Sequence, residues 1–98
     1  MRVVAYKAIR DFYEKYPDAK EPLDRWYDLT QKASWEDISD VRKTFPHADL
    51  IGVCTCFNIA GNKYRLIVKI NYKWQMVYIR FILTHAEYDR KVYLDDCC

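Results

Sequence analysis

Three segments in the second half of the chain, 53–59, 64–70 and 77–83, alternate side chains with a period of two and are divided by turn residues. A chain patterned this way is committed to a sheet with two unlike faces, because successive strand residues point to opposite sides. In the first segment Val53, Thr55, Phe57 and Ile59 alternate with Cys54, Cys56 and Asn58. Ala60-Gly61-Asn62 follows, a tight-hairpin signal because Gly and Asn accept positive φ. In the second segment Tyr64, Leu66, Val68 and Ile70 share one face, with Arg65, Ile67 and Lys69 opposite. After a turn at Asn71, Tyr72, Lys73 and Trp74, the third segment sets Val77, Ile79, Phe81 and Leu83 against Met76, Tyr78, Arg80 and Ile82. One face is expected to pack on helices and the other to carry charge.

The helices belong to the first half. A short opening strand, Arg2 to Tyr6, leads into Ala5, Ala8, Ile9, Phe12 and Tyr16 at helical spacing, ending at Pro17. Asp18 followed by Glu21 reads as an N-terminal cap for a second helix running to about Ala33, with Leu23, Trp26, Tyr27 and Thr30 on one face. Ser34 or Asp37 starts a third helix that turns Ile38, Val41 and Phe45 inward before Pro46 stops it. Trp26, Tyr27 and Trp35 are expected in the core. Helices followed by strands, with no repeat or low-complexity linker, predict an α+β architecture. At 98 residues and 51% hydrophobic content, one folded domain spanning 1–98 is expected.

Charge is unevenly placed on that frame. The formal net charge is only +2, yet between Leu50 and Ala86 there are Lys63, Arg65, Lys69, Lys73, Arg80 and His85 and no Asp or Glu. A local basic surface of this kind suits an anion. A loop centred between Tyr72 and Lys73 would set Arg65 directly opposite Arg80, and like charges facing across strands destabilise a sheet. Negative charge is therefore expected from outside the sheet. A hairpin loop at Gly61-Asn62 sets Asn58 opposite Arg65 and extends the polar row.

Beyond the third strand, Thr84 and Glu87 form a T-x-x-E capping box that puts His85 and Tyr88 on one side of the first turn of a short C-terminal helix. Cations, a residue that exchanges protons near neutral pH, and Tyr78, Tyr72 and Trp74 as flat edges together suit single-stranded RNA. RNA carries its own nucleophile, the 2′-OH, so cleavage needs a base, cations for the charged phosphorane and an acid, and requires no metal or cofactor. Arg65 and Arg80 are the candidate phosphate clamp, His85 the candidate general acid or base, and Tyr88 a candidate to orient or stack substrate. Asn58, Lys63, Lys69 and Lys73 are candidate RNA contacts, with a solvated strand surface as the competing reading for the lysines. His47 receives no role.

Cys54, Cys56, Cys97 and Cys98 occur as C-x-C and C-C, spacings that argue against a zinc site. Cys54 and Cys56 read as reduced packing residues, and Cys97-Cys98 as an exposed tail. The absence of an early apolar run or of a membrane-length one predicts a cytoplasmic protein with no membrane partner.

The stretch Phe57 to Ile67 (FNIAGNKYRLI), Tyr78 to Phe81 (YIRF) and Thr84 to Asp89 (THAEYD) resembles the HigB toxins of type II toxin–antitoxin systems. The resemblance extends to Lys7–Phe12, Tyr16–Ala19 and Trp26-Tyr27, leaving out only the last several residues. It implies a RelE-like fold, with an antiparallel-rich sheet, N-terminal helices on one face and an RNA-binding cleft on the other. It also implies ribosome-dependent mRNA cleavage in the aminoacyl site and neutralisation by a HigA-type helix-turn-helix antitoxin, which alone would bring the pair to operator DNA. Arg65, Arg80, His85 and Tyr88 occupy the matching motif positions. Ala60 stands where relatives often carry a basic residue, and the Cys-rich tail departs from the pattern. Two other functions fit the same residues: a non-catalytic RNA- or ribosome-binding translation blocker, and an inactive toxin remnant acting with its antitoxin in operon repression.

Overall fold

The helical half forms where apolar spacing and local capping agree. In the computed structural model, which describes residues 1–97, strand β1 (Arg2–Val4) is followed by helix α1 (Tyr6–Lys15), a 3-10 turn (Pro17–Ala19), α2 (Lys20–Lys32) and α3 (Ile38–Thr44). Asp37 caps α3 by accepting from the Asp40 N–H at 3.1 Å, as the sequence predicts. Two expectations are corrected. Ala5 is not a helical face residue but the left-handed residue before α1, with φ 79°. Asp18 does not cap α2, because its carboxylate accepts instead from Tyr64 Oη at 2.6 Å and from Lys63 Nζ at 2.7 Å.

Strands β2 (Asp49–Ile51), β3 (Cys54–Ile59), β4 (Tyr64–Asn71) and β5 (Met76–Thr84) complete a five-stranded sheet in the order β1-β5-β4-β3-β2. Among the described residues only β1 and β5 run parallel. This is the expected α+β architecture, an antiparallel-rich sheet with the N-terminal helices packed on one face. The helices bury Ile9, Leu23, Trp26 and Val41 against Phe57, Ile59, Leu66, Val68 and Val77. Trp26 meets Phe57 edge-on at 5.5 Å, and Trp26 and Trp35 are both buried, as expected of core residues. Sequence periodicity misses β2, whose exposed Leu50 gives no alternating signal over three residues. Val53 is likewise not a strand residue: it follows left-handed Gly52 in the β2–β3 turn and is exposed.

The β3–β4 hairpin has the expected register, with Asn58 opposite Arg65. Ala60 and Gly61 adopt the left-handed conformation, at φ 53° and 67°, that lets the chain reverse there. The next hairpin does not have its expected register. Arg65 lies opposite Leu83, not Arg80. The loop is centred one residue later than expected because Gln75 takes a left-handed conformation and its amide donates to the carbonyls of Trp35 and Tyr72 at 2.6 and 2.7 Å. A bulge then shifts the register again, since Val68 pairs with Ile79 but Ile67 with Phe81, leaving Arg80 as the extra residue. Consequently Ile82 joins the helix-side core, whereas Phe81 and Leu83 turn to the opposite face.

That opposite face carries a second apolar cluster of Cys54, Cys56, Ile67 and Leu83, roofed by the C-terminal segment. Helix α4 (His85–Asp89) and the one-turn α5 (Leu94–Cys97) form this roof, with Tyr93 and Cys97 buried beneath it. The tail is therefore not exposed through Cys97, and Cys98 lies outside the described residues. Nor is Cys54 reduced: it forms a disulfide with Cys97, with Cα atoms 5.2 Å apart. Cys56 remains a free, buried thiol, and burial pushes its pKa up to about 11. No helix among the described residues is long and apolar enough to cross a membrane.

Candidate functional site

The capping box that starts α4 is present in both halves. Thr84 Oγ1 accepts from the Glu87 N–H at 3.3 Å, and Glu87 Oε1 accepts from the Thr84 N–H at 2.9 Å. This fixes the exit of β5 and so the directions of His85 and Tyr88. The His85 backbone N–H donates to the Lys63 carbonyl at 3.0 Å, which ties the first turn of α4 to the β3–β4 hairpin.

Arg65, His85 and Tyr88 converge at that junction. Arg65 Nη1 donates to the Asn62 carbonyl at 3.0 Å, and His85 Nδ1 lies 3.3 Å from the same oxygen. One backbone carbonyl thus makes the guanidinium and the imidazole close neighbours. The guanidinium also lies 5.2 Å from the Tyr88 ring centroid, a cation–π contact. His85 Nε2 is 3.2 Å from Asp89, so both ring nitrogens face acceptors and either can donate a proton. Burial, followed by the neighbouring Cys56 and Tyr93, pushes the Tyr88 hydroxyl up to about 12. Tyr88 therefore stays a neutral phenol, suited to stacking and hydrogen bonding rather than to accepting a proton.

Arg80 belongs to a second cluster further along the same face. Its Nε and Nη2 each donate to Asp96 at 2.8 Å, a bidentate pair, and Lys69 Nζ lies 3.6 Å from the same carboxylate. The expected facing pair of arginines is thus replaced by two cationic centres, Arg65 with His85 and Arg80 with Lys69. The negative charge expected from outside the sheet comes from the chain's own tail. Arg80 holds the Asp96 carboxyl below the usual carboxylate range, with Lys69 adding to the effect.

The other sequence candidates separate. Asn58 sits opposite Arg65 and, with His47, Gly61 and Asn62, lines an open cleft of about 530 Å³ beside the first cluster. His47, given no role from the sequence, therefore belongs to the neighbourhood of the site. Lys63 is drawn toward the helices by Asp18, and Lys73 sits over Trp74 in the β4–β5 turn, so neither joins these clusters. Tyr78 is exposed and sits opposite Lys69, away from that cleft, whereas Tyr72 packs against the helix-side core. Among the described residues, the metal-capable side chains that gather are Cys54, Asp96 and Cys97, and the two sulfurs there are joined to each other. The roles of Asp96 and Tyr93 escape sequence reasoning. The available signal was the crowding of carboxylates and cysteines just beyond a segment that has no carboxylates.

Residues 19–91 match the HigB toxin family model, described as the RelE-like toxic component of a toxin–antitoxin system. The chain is 30% identical over 92 residues to the mRNA interferase toxin HigB of Escherichia coli (strain K12), an alignment covering 91% of this chain and 88% of that protein. The mRNA interferase HigB of Shigella flexneri is similar to the same extent. A further mRNA interferase HigB, from Escherichia coli O6:H1, is 24% identical over 93 residues, covering 92% of this chain and 90% of that protein.

Proposed function

This chain belongs to the HigB toxin family, the RelE-like toxic components of toxin–antitoxin systems, and from that premise we propose that it is an mRNA endoribonuclease acting on the ribosome. The observation that carries the reading is the convergence of Arg65, His85 and Tyr88 around the Asn62 carbonyl. It supplies a planar cation, a proton-exchanging ring and an aromatic platform side by side.

In this mechanism the RNA 2′-oxygen attacks the adjacent phosphorus. A new O–P bond forms and the bond to the 5′-oxygen breaks, leaving a 2′,3′-cyclic phosphate and a free 5′-hydroxyl. The 2′-OH proton leaves to a base, and the 5′-oxygen gains a proton from an acid. His85 serves one or both transfers. Arg65 neutralises the equatorial phosphorane oxygens, where charge develops, and Tyr88 holds a base or sugar against the guanidinium. Arg80 and Lys69 hold a neighbouring phosphate, and Asn58 extends the contact along the hairpin. The partners on this reading are mRNA in the ribosomal aminoacyl site and a HigA-type helix-turn-helix antitoxin, with operator DNA reached only through that antitoxin. The compartment is the cytoplasm.

The test is primer extension on a message from cells expressing the toxin without antitoxin. Discrete new 5′ ends are expected, and His85→Ala and Arg65→Ala should strongly weaken them while leaving the circular dichroism spectrum unchanged. Translation arrest without new ends would replace cleavage by blocking, and no arrest at all would leave only a role in operon repression.

A further inference from the structure

We propose that the C-terminal segment from Tyr93 to Cys97 is an autoinhibitory strap, latched by the Cys54–Cys97 disulfide, in which the Asp96 carboxylate occupies a phosphate subsite formed by Arg80 and Lys69. The proposal rests on the RNA-cleaving reading for the identity of the displaced ligand.

The contact has the form of a ligand in its site. Two carboxylate oxygens meet the Nε and Nη2 donors of Arg80 at 2.8 Å each, the fork arrangement in which a guanidinium also takes two phosphate oxygens. Lys69 approaches the same group from the neighbouring strand. Between Leu50 and Ala86 the chain contains no carboxylate, so these cations lack a counter-ion within their own sheet segment. The strap covers the adjoining cluster as well. Tyr93 stacks on Tyr88, with ring centroids 5.2 Å apart and planes inclined by 19°, and so takes up Tyr88 surface that a nucleobase would use. RNA and strap compete for the same surfaces.

What holds the strap is the latch together with burial of Tyr93 in the second apolar cluster. Helix α5 is four residues long, the turn before it includes left-handed Lys91 at φ 57°, and the Arg80–Asp96 pair is partly exposed. Exposed ion pairs and a single ring stack are weak on their own. The disulfide, with the Val53 N–H donating to the Cys97 carbonyl at 2.9 Å, keeps Asp96 at high effective concentration over Arg80.

A dithiol reductant releases the latch. One thiolate attacks a protein sulfur to give a mixed disulfide, and the second closes on the first. The reductant leaves as a disulfide, and Cys54 and Cys97 each gain one electron and one proton. Both sulfurs are buried, so attack follows local opening of the tail. Burial favours the thiol form of Cys56, in the same apolar cluster, and so disfavours its attack on the disulfide. In a reducing compartment the strap is open, and oxidation closes it.

The experiment measures binding of a 2′-O-methylated single-stranded RNA of about ten nucleotides, which cannot be cleaved by 2′-OH attack, to the oxidised full chain and to the chain reduced and alkylated. Fluorescence anisotropy reports affinity, and the mass of the alkylated protein reports the thiol state. The reduced protein is expected to bind at least about tenfold tighter, because a latched strap leaves only a minor fraction competent. Oxidised Asp96→Asn should gain affinity with its latch intact. Cys97→Ser should bind tightly in both buffers, and thermal melting checks its fold.

Equal affinity in the two thiol states, or binding in neither, overturns the strap. Message cleavage is assayed on the same samples. Redox-dependent affinity with no cleavage in either state upholds the strap and counts against the nuclease, whereas equal cleavage and equal affinity overturn the strap alone.

Discussion

The Arg65 guanidinium lies 5.2 Å from the centroid of the Tyr88 ring while donating to the carbonyl of Asn62. A flat cation held against a flat ring is pre-oriented and loses little freedom when a phosphate arrives. Arg65→Ala should therefore lower cleavage by about 10² to 10³-fold, the scale of losing one preorganised charge-stabilising donor. Arg65→Lys should recover only part of the loss, since an ammonium keeps the charge but neither stacks nor forks. Tyr88→Phe should retain most activity and Tyr88→Ala little, if the ring rather than the hydroxyl matters. Rates of cleavage on a defined message in a translating extract distinguish these cases.

The parts of this arrangement that were legible in the sequence are those specified by neighbours in the chain. The Ala60-Gly61-Asn62 turn sets its own register, so Asn58 opposite Arg65 follows from local chemistry, as does the Thr84–Glu87 box that presents His85 and Tyr88. The Arg65–Leu83 register was not legible. It depends on Gln75 reaching Trp35 across the fold and on a bulge at Arg80, neither of which leaves a periodic trace. The tail was hidden for the same reason. Cys54 and Cys97 are separated by 43 residues, and nothing near either one announces the other.

Thr84 carries both halves of the cap that orients α4. Thr84→Ala should destabilise the protein by about 0.5–2 kcal/mol, read as a lower urea midpoint at unchanged m-value. It should also reduce cleavage more than stability alone explains, because His85 and Tyr88 lose their fixed starting turn. Thr84→Ser keeps the accepting oxygen and should restore both properties.

Ala5 precedes α1 with φ 79° and makes no side-chain capping bond, in an exposed position. An L-residue with a Cβ pays roughly 1–2 kcal/mol for that conformation, whereas glycine adopts it freely but loses about 0.4–1 kcal/mol through a more flexible unfolded chain. Ala5→Gly should therefore be neutral to modestly stabilising, although glycine in a helix interior would be unfavourable. A melting temperature at or above that of the unaltered chain is the expected result, and a clear fall would contradict the left-handed assignment.

Asp18 ties the helical half to the hairpin through Lys63 and Tyr64, and this junction contributes to the pH dependence of the fold at both extremes. Hydrogen bonding from Lys63, then from Tyr64, lowers the Asp18 pKa. Its contribution is therefore present above the unfolded carboxylate value of about 3.9 and lost as pH falls through the lower folded value. The Tyr64 hydroxyl is pushed up to about 12, chiefly by donating to Asp18 and then by burial. Its contribution is present below the unfolded tyrosine value of about 10 and lost as pH rises through the folded one. Melting temperatures across the full pH range should show Asp18→Asn with a shallower acid decline than the unaltered chain, despite the other depressed carboxylates at Asp40, Glu87 and Asp96. Tyr64→Phe should lose stability near neutrality and show a shallower alkaline decline, because the group whose ionisation breaks the bond is gone. Parallel profiles for all three proteins would mean that the junction does not couple to either titration.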